Sequence, residues 1–393
     1  MSLAVAKPAH AILSASGSKR WLACPPSAQL EQQFPNETSE YAKEGTFAHA
    51  LGELRLSRAI ANSLAPSTYK KKLAAMQKDP MYSASMGEYI EQYVTIVSER
   101  YLEAKDRCQD TLVMLEQRLD YSEWVPDGFG TGDVIIIADA IMEIIDLKYG
   151  KGVPVSAENN SQMRLYALGA IHQFGCLYDI KTVRMTIIQP RLDSVSSEEM
   201  SVDDLLNWAE NEVRPKAALA IAGEGEFCAG DHCRFCRARF TCRVRAEANL
   251  ELAKYDFQES FLLSDEEIAE VLTKAEELQK WAADIQTYAL DQAENHGKKW
   301  PRFKLVEGRS NRKYTDEDAV AKVLLEAKYK EEQIYDKKVF GITAMEKNIG
   351  KKKFAELLAD LVIKPAGKPV LVPESDKRPV ISSAAAAAED FKE

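Results

Sequence analysis

Long hydrophobic runs are missing from this chain. No apolar stretch approaches the roughly 18 residues that a membrane-spanning helix requires, so we expect the protein not to enter a membrane. The opening residues, MSLAVAKPAHAILSASGSKRW, have neither a sustained apolar core nor a convincing cleavage site. We therefore expect native sequence there rather than a signal peptide, and a cytoplasmic protein.

Two signatures of nucleotide chemistry are missing as well. The sequence contains no G-x-x-x-x-G-K-[ST], so we expect no P-loop motor in it, and a helicase that works with it would be a separate protein. It also contains no H-x-E with a P-C-x-x-C, which argues against a zinc nucleobase deaminase. What is present is an ordinary globular composition, with 46% hydrophobic and 28% charged residues.

The charge of the chain is unevenly distributed. A net charge of −10 does not favour a nucleic-acid-binding protein, yet two segments are strongly basic. Between Cys228 and Arg245 five arginines oppose one aspartate, and between Lys298 and Lys313 seven basic residues oppose one glutamate. Either segment could hold a phosphate backbone, and either could be an ordinary solvated face.

Hydrophobic periodicity divides the chain into an α/β part and a helical part. Apolar, β-branched runs predict strands at 111–121, 130–139, 140–150 and 181–191, the first three as a meander. Helices are predicted at 43–61, 85–105, 159–175, 201–223, 264–297, 315–328 and 342–361. We therefore predict a compact α/β domain over 1–250, a mostly helical region over 251–363, and an extended or disordered tail over 364–393.

Two aspartates and a lysine mark neighbouring strands of the predicted meander. Asp133 opens one strand, and Asp146 and Lys148 are two residues apart on the next, so their side chains share a face. Carboxylates side by side repel one another unless a cation lies between them, and oxygen ligands suit Mg²⁺ or Mn²⁺. A lysine beside the ion could position a water or stabilise a phosphate. The structural alternative is a surface ion pair between Asp146 and Lys148.

Three further residues are weaker candidates on their own. His49 lies on a predicted helix, where a lone histidine is more often structural than a metal ligand. Gln162 and Tyr166 form an i, i+4 pair on the helix after the Asp146 strand, so their side chains point the same way. They could contact a substrate phosphate or base, although a helical tyrosine usually serves packing.

The motifs GTGDVIII, EIIDLKYGKG and QMRLY, in this order, resemble the RecB-like branch of the PD-(D/E)xK nuclease superfamily. The resemblance covers roughly residues 15–245. It implies an α/β fold with a restriction-endonuclease-like core, a central mixed sheet flanked by helices, and here a mostly helical C-terminal extension. It also implies a divalent-metal-dependent deoxyribonuclease, expected to act as an exonuclease.

The same resemblance assigns roles to the candidate residues. It implies Mg²⁺ or Mn²⁺ ligands at His49, Asp133, Asp146 and the backbone carbonyl of Leu147. The residues that match Asp133, Asp146 and Lys148 are catalytic in that branch. Gln162 and Tyr166 match its substrate-contacting motif.

The seven cysteines are unevenly spaced and do not indicate a secreted disulfide framework. Four of them lie in CAGDHCRFCRARFTC, which by itself indicates a zinc site of four thiolates. Cys233, Cys236 and Cys242 also resemble the cysteines of iron–sulfur nucleases of the RecB-like branch, of the AddB and CRISPR-adaptation types. There one N-terminal cysteine, matched here by Cys24, completes a [4Fe–4S] cluster. Whether Cys24 or Cys228 is the fourth ligand stays open.

Two cysteines, Cys108 and Cys176, lie in apolar surroundings and are predicted to be small core residues.

The whole chain also resembles phage- or prophage-associated RecB-like proteins. This implies a role in phage DNA recombination or replication in a bacterial host cell, with DNA as the partner and a single-strand annealing protein or separate helicase as further candidates. The main alternative is a non-catalytic module that binds nucleic acid or protein and whose four cysteines hold structural zinc.

Overall fold

A mixed five-stranded sheet forms the centre of the first of two units, which span Met1–Ala289 and Leu290–Glu393. It is described from a computed structural model that covers residues 11–35, 40–61, 63–251, 264–306, 315–335, 339–358 and 361–362. The strands are β1 (Leu112–Asp120), β2 (Phe129–Ala138), β3 (Ile141–Leu147), β4 (Thr182–Gln189) and β5 (Ser194–Ser201). They lie in chain order, and every neighbouring pair is antiparallel except the parallel pair β3–β4.

Fourteen α-helices lie within the described residues. In the first unit they are α1 (Ser18–Ala23), α2 (Ser27–Leu30), α3 (Glu40–Ala59), α4 (Pro66–Met76), α5 (Ala84–Arg107), α6 (Ser161–Phe174), α7 (Val202–Trp208), α8 (Arg214–Ala222), α9 (Arg243–Leu250) and most of α10 (Asp265–Glu294). In the second unit they are α11 (Glu317–Glu326), α12 (Glu331–Ile334), α13 (Ile342–Ile349) and α14 (Lys351–Leu358).

Helices cover both faces of the sheet because the central strands are apolar on both sides. On one face α6, α7 and α8 pack over Ile135 and Ile144. On the other face α3 and α5 pack over Val134 and Ile145. Successive residues of a strand point to opposite faces, so each strand contributes to both layers. The parallel pair β3–β4 is joined by a crossover that contains α6, as parallel strands require.

The predicted fold class is confirmed. A mixed sheet flanked by helices, followed by a helical C-terminal part, fits a restriction-endonuclease-like core. The three-strand meander is also as predicted, since β1, β2 and β3 are successive antiparallel neighbours. The predicted helix at 264–297 is α10, and it begins with a capping box in which Ser264 and Glu267 exchange hydrogen bonds.

Helices α1, α2, α4, α9 and α12 were not predicted, and three further elements differ from the sequence prediction. Strand β5, with the sequence SVSSEEMS, was not predicted because it lacks an apolar run. The single helix predicted at 201–223 contains a π-helical segment, Ala209–Val213, two residues before Pro215, which has no amide hydrogen to donate. The helix predicted at 342–361 is divided at Gly350, whose φ of 84° does not fit a helix.

The predicted boundary at residue 250 stays a prediction, and the predicted tail at 364–393 lies outside the described residues. Among the helices that the structure describes, none is both long and apolar enough to cross a membrane.

Candidate functional site

Strands β2 and β3 separate at the two predicted aspartates. The last pair between these strands is Val134 with Ile145. Beyond it β2 continues beside β1 as far as Phe129, whereas β3 continues beside β4 as far as Leu147. Asp133 and Asp146 are the first residues past the last pair, so the predicted adjacency of the two carboxylates arises where the strands diverge. We call this place the strand fork.

The carboxylate of Asp133 is held from two sides. His49 on α3 donates from Nδ1 to Oδ1 of Asp133 over 3.1 Å, and the backbone amide of Leu147 donates to Oδ2 over 2.7 Å. Burial lowers the pKa of His49, but the hydrogen bond to Asp133 and the charges of Asp133 and Asp146 outweigh it and raise the pKa to about 9. His49 therefore belongs to the fork. The predicted role of the Leu147 carbonyl stays a prediction.

Glu116 on β1 also belongs to the strand fork, and it was not predicted. The register of β1 and β2 places Glu116 opposite Asp133, and its φ of 47° is unusual for a strand residue. Burial raises the pKa of Glu116 to about 7, and the charge of Asp133 adds to the shift. The sequence shows a glutamate in the middle of a strand, beside other polar residues, but it does not show the register, because residues 121–128 separate the two strands.

A chain of polar contacts joins Asp146 to the helix that follows. Oδ2 of Asp146 lies 2.8 Å from Nζ of Lys148, and Nζ donates to Oε1 of Gln162 over 3.0 Å. Nε2 of Gln162 in turn donates to the hydroxyl of Tyr166 over 3.0 Å. Asp146 is only 3% exposed, so its contact with Lys148 is not the surface ion pair that the sequence left open as the alternative to a metal site. All four predicted residues thus form one connected group.

Local sequence explains why this group forms. The side chain of Asn160 accepts hydrogen bonds from the amides of Gln162 and Met163, which begins α6 at the position that aims Gln162 at Lys148. Gly130 leaves room for the Tyr166 ring, because a Cβ at Gly130 would lie 2.5 Å from Cε1 of Tyr166. The first glycine of the GTGD motif, Gly130, therefore has a packing reason.

The side chains of the fork fit a divalent cation. Of the described residues, His49, Glu116 and Asp133 form the one group of three His, Cys, Asp or Glu whose ligand atoms all lie within 4.8 Å of one another. Beside them, Oδ2 of Asp146 is buried without a hydrogen bond of acceptable geometry, although Lys148 is near. Burial raises the pKa of Asp146, as does the charge of Asp133. Carboxylate oxygens with one imidazole suit Mg²⁺ or Mn²⁺.

The N-terminal cysteine meets the distant cysteine cluster. One small cavity is lined by Cys24, Cys228, Cys233, Cys236 and Cys242. The amide of Cys228 donates to Sγ of Cys24 over 3.5 Å, across 204 residues of sequence. Cys24, Cys233 and Cys236 are buried and Cys242 is partly buried, whereas Cys228 is exposed. The burial of the thiols therefore favours Cys24 over Cys228 as the fourth ligand.

The sulfurs of the cavity are not spaced as in a tetrahedral zinc site. A tetrahedral zinc site with bonds of about 2.3 Å requires sulfurs roughly 3.8 Å apart. Among the described cysteines, no three sulfurs lie within 4.8 Å of one another. A [4Fe–4S] cluster holds its cysteine sulfurs farther apart, because each binds a different iron of the cube. The described sulfurs therefore do not form a preformed tetrahedral zinc site.

Glu31 anchors the loop of the cluster to the N-terminal helices, and it too was not predicted. It is 4% exposed and accepts from Nε of Arg20 over 2.8 Å and from the amide of Arg237 over 2.7 Å. The sequence gives no signal for this role, because Glu31 is one of many surface-type residues in a polar stretch.

Of the two cysteines predicted to be core residues, Cys108 is partly buried and packs beside the core of α3 and α5. Cys176 is exposed, so the prediction for it was wrong. It follows directly after Gly175, beyond the end of α6, and therefore lies outside the packed face of that helix.

Comparisons with known proteins give one family and a weak structural similarity. The model of a family described as "Protein of unknown function (DUF2800)" matches residues 10–379, nearly the whole chain. Among solved structures, one titled "Crystal structure of SSO0001" is similar, with 14% sequence identity over 59% of this chain and 85% of that chain. Its TM-score of 0.28 is too low for any conclusion about function.

Proposed function

The chain belongs to the DUF2800 family, and we propose that it is a divalent-metal-dependent deoxyribonuclease of the RecB-like kind. The observation that carries this proposal is the strand fork. There a carboxylate pair, a histidine and a lysine from three different elements converge at one buried point. Exonuclease action in phage recombination or replication is the biological setting that we propose for it.

Each residue of the fork has a distinct task in the proposed reaction. Asp133 is fixed by His49 and by the Leu147 amide, so its carboxylate is oriented before substrate binds. The ammonium of Lys148, held between Asp146 and Gln162, would balance the negative charge that develops on the phosphoryl oxygens. A divalent ion held by His49, Glu116 and Asp133, with Asp146 adjacent, would supply a Lewis acid for the phosphate and a water of lowered pKa.

We propose a structural role for the cysteine cavity. Cys24, Cys233, Cys236 and Cys242 would hold a [4Fe–4S] cluster that joins the segment before the nuclease core to the segment after it. The cluster and the strand fork share no residues, so its loss should affect folding before it affects chemistry. Zinc is the alternative metal that analysis of the purified protein would reveal.

Degradation of DNA tests the proposed function. Purified wild-type protein, Asp146→Ala and Lys148→Ala are incubated with linear DNA and Mn²⁺, and each with a chelator. We expect degradation by the wild type but not by Asp146→Ala or Lys148→Ala, and we expect the chelator to abolish it. A useful control is Lys181→Ala, because Lys181 is exposed and precedes the end of β4 farthest from the fork. Equal degradation by all four proteins would indicate a contaminating nuclease and refute the proposal.

A further inference from the structure

The loop between two of the cavity cysteines presents an exposed aromatic ring. Phe235 lies between Cys233 and Cys236, and it is 61% exposed. The loop cannot easily withdraw the ring, because its backbone is held at both ends. The amide of Cys236 donates to the carbonyl of Cys233 over 3.0 Å, and Arg20 donates to the carbonyl of Phe235 over 3.2 Å.

Two arginines lie beside this ring. The guanidinium of Arg234 lies 5.6 Å from the ring centre, and Arg20 is bound to the loop itself. The acidic neighbours are Asp231 and Glu276, which are exposed, and Glu31, which is buried and paired with Arg20.

We propose that Phe235, flanked by Arg234 and Arg20, is a stacking site for an unpaired base of single-stranded DNA. A flat ring beside cations matches a base beside its phosphates, and stacking of this kind tolerates any sequence. Duplex DNA offers no such contact, because its base faces are already stacked. The inference rests on the proposed function for the identity of the polymer and deepens it, since it predicts that the DNA strand near the cysteine loop is unpaired.

Binding without cleavage tests this site separately from the nuclease. Full-length protein in chelator is titrated into a labelled single-stranded oligonucleotide and into a duplex of the same length, and fluorescence anisotropy is recorded. Phe235→Leu removes the aromatic face but keeps an apolar side chain, whereas Phe235→Trp keeps a face for stacking. Tyr335→Leu is the matched control, because Tyr335 is an exposed aromatic residue of the second unit.

We expect Phe235→Leu to weaken single-strand binding by roughly 5- to 150-fold, with little effect on the duplex. Phe235→Trp and Tyr335→Leu should bind like the wild type. Unchanged binding by Phe235→Leu, or equal losses on both DNAs, would overturn the proposal. So would the loss of self-association instead of DNA binding, measured by sedimentation. If base stacking holds but Mn²⁺ supports no cleavage, the nuclease proposal fails and this one stands.

Discussion

Lys148 depends on its neighbours for its position. Its ammonium touches Asp146 and Gln162, and Gln162 is in turn held by Tyr166. A long, flexible lysine side chain otherwise samples many rotamers, so each contact removes positional freedom. Gln162 is therefore a positioning residue in this account, and its loss should leave the ion site intact.

Replacing Gln162 with leucine should separate positioning from metal binding. We expect Gln162→Leu to lower kcat by about 10-fold, because one hydrogen bond to a charged group is lost, with unchanged Mn²⁺ affinity. Steady-state kinetics and calorimetric Mn²⁺ titration measure the two quantities. Gln173→Leu is the control, since Gln173 lies on the same helix and its buried Oε1 has no hydrogen-bond partner. Equal kcat values for both variants would contradict the role of Gln162.

Removing the charge of Glu116 should stabilise the metal-free protein and weaken its stabilisation by Mn²⁺. Without a cation, the carboxylates of Glu116, Asp133 and Asp146 repel one another across the fork. We therefore expect Glu116→Gln to raise the Tm of the metal-free protein by roughly 2–4 °C and to reduce the further rise that Mn²⁺ produces in the wild type. Thermal unfolding with and without Mn²⁺ measures both effects. Glu103→Gln, an exposed change on α5, should alter neither.

The sequence predicted most residues of the strand fork, but it missed one acidic residue of the fork and one beside the cysteine cavity. His49, Asp133, Asp146, Lys148, Gln162 and Tyr166 come together as the motifs imply. Glu116 was missed because its place depends on the register of β1 against β2. Glu31 was missed because its burial arises only when the two ends of the domain meet. Both depend on long-range contacts that spacing along the chain does not encode.

At the scale of elements, strand β2 and helix α6 pack closely because Gly130 of β2 has no side chain. Gly130 faces the ring of Tyr166, and Tyr166 holds Gln162 toward Lys148. The helix is therefore placed by a steric condition on the strand as well as by its Asn160 cap. A side chain at Gly130 should disturb the site without touching any polar group in it.

Gly130→Ala tests this steric condition. The added Cβ would lie 2.5 Å from the Tyr166 ring, so we expect a loss of roughly 1–3 kcal/mol in the free energy of unfolding and a fall in kcat. Urea unfolding and kinetics measure the two. Gly45→Ala is matched to it, because a Cβ at Gly45 on α3 meets nothing within 4 Å, and it should stabilise the protein by roughly 0.5–1 kcal/mol. Similar effects of the two substitutions would contradict the account.

Element prediction succeeded where hydrophobic patterns were strong. The apolar strands β2 and β3 and the amphipathic helices α3, α5 and α10 lie close to their predicted positions. Strand β5 was missed because it alternates polar residues at the edge of the sheet, where pairing with β4 rather than burial defines it. The π-helical segment before Pro215 was missed because periodicity does not register one extra residue in a turn.

At the scale of the whole molecule, two distant segments of the chain meet at the cysteine cavity. Cys24 lies near the start of the first unit, and its partners lie more than 200 residues later. The ion pair of Glu31 with Arg20 and its bond to the amide of Arg237 cross the same junction. Beyond it, the nearly fully buried Arg245 pairs with Glu277 and Asp284 on α10, so the same region also fixes the long helix.

Iron content distinguishes the two candidate fourth ligands. We expect anaerobically purified wild-type protein to be brown with about four irons per chain, and Cys24→Ser to lose most of its iron. Cys228→Ser should retain iron, because the Cys228 thiol is exposed and only its backbone amide meets Cys24. Cys176→Ser is the control for an unrelated exposed thiol. A colourless wild-type protein with one zinc, or a folded Cys24→Ser variant with full iron, would contradict the assignment.

Single-turnover cleavage of DNA tests the central claim most directly. With protein in excess over an end-labelled oligonucleotide, the first-order rate is measured across a Mn²⁺ titration for the wild type, Lys148→Ala and Lys181→Ala. The account predicts a saturable Mn²⁺ dependence for the wild type and Lys181→Ala, and a rate at least roughly 100-fold lower for Lys148→Ala at saturating Mn²⁺. Equal rates for Lys148→Ala and the wild type, or no cleavage by any of the three, would contradict it.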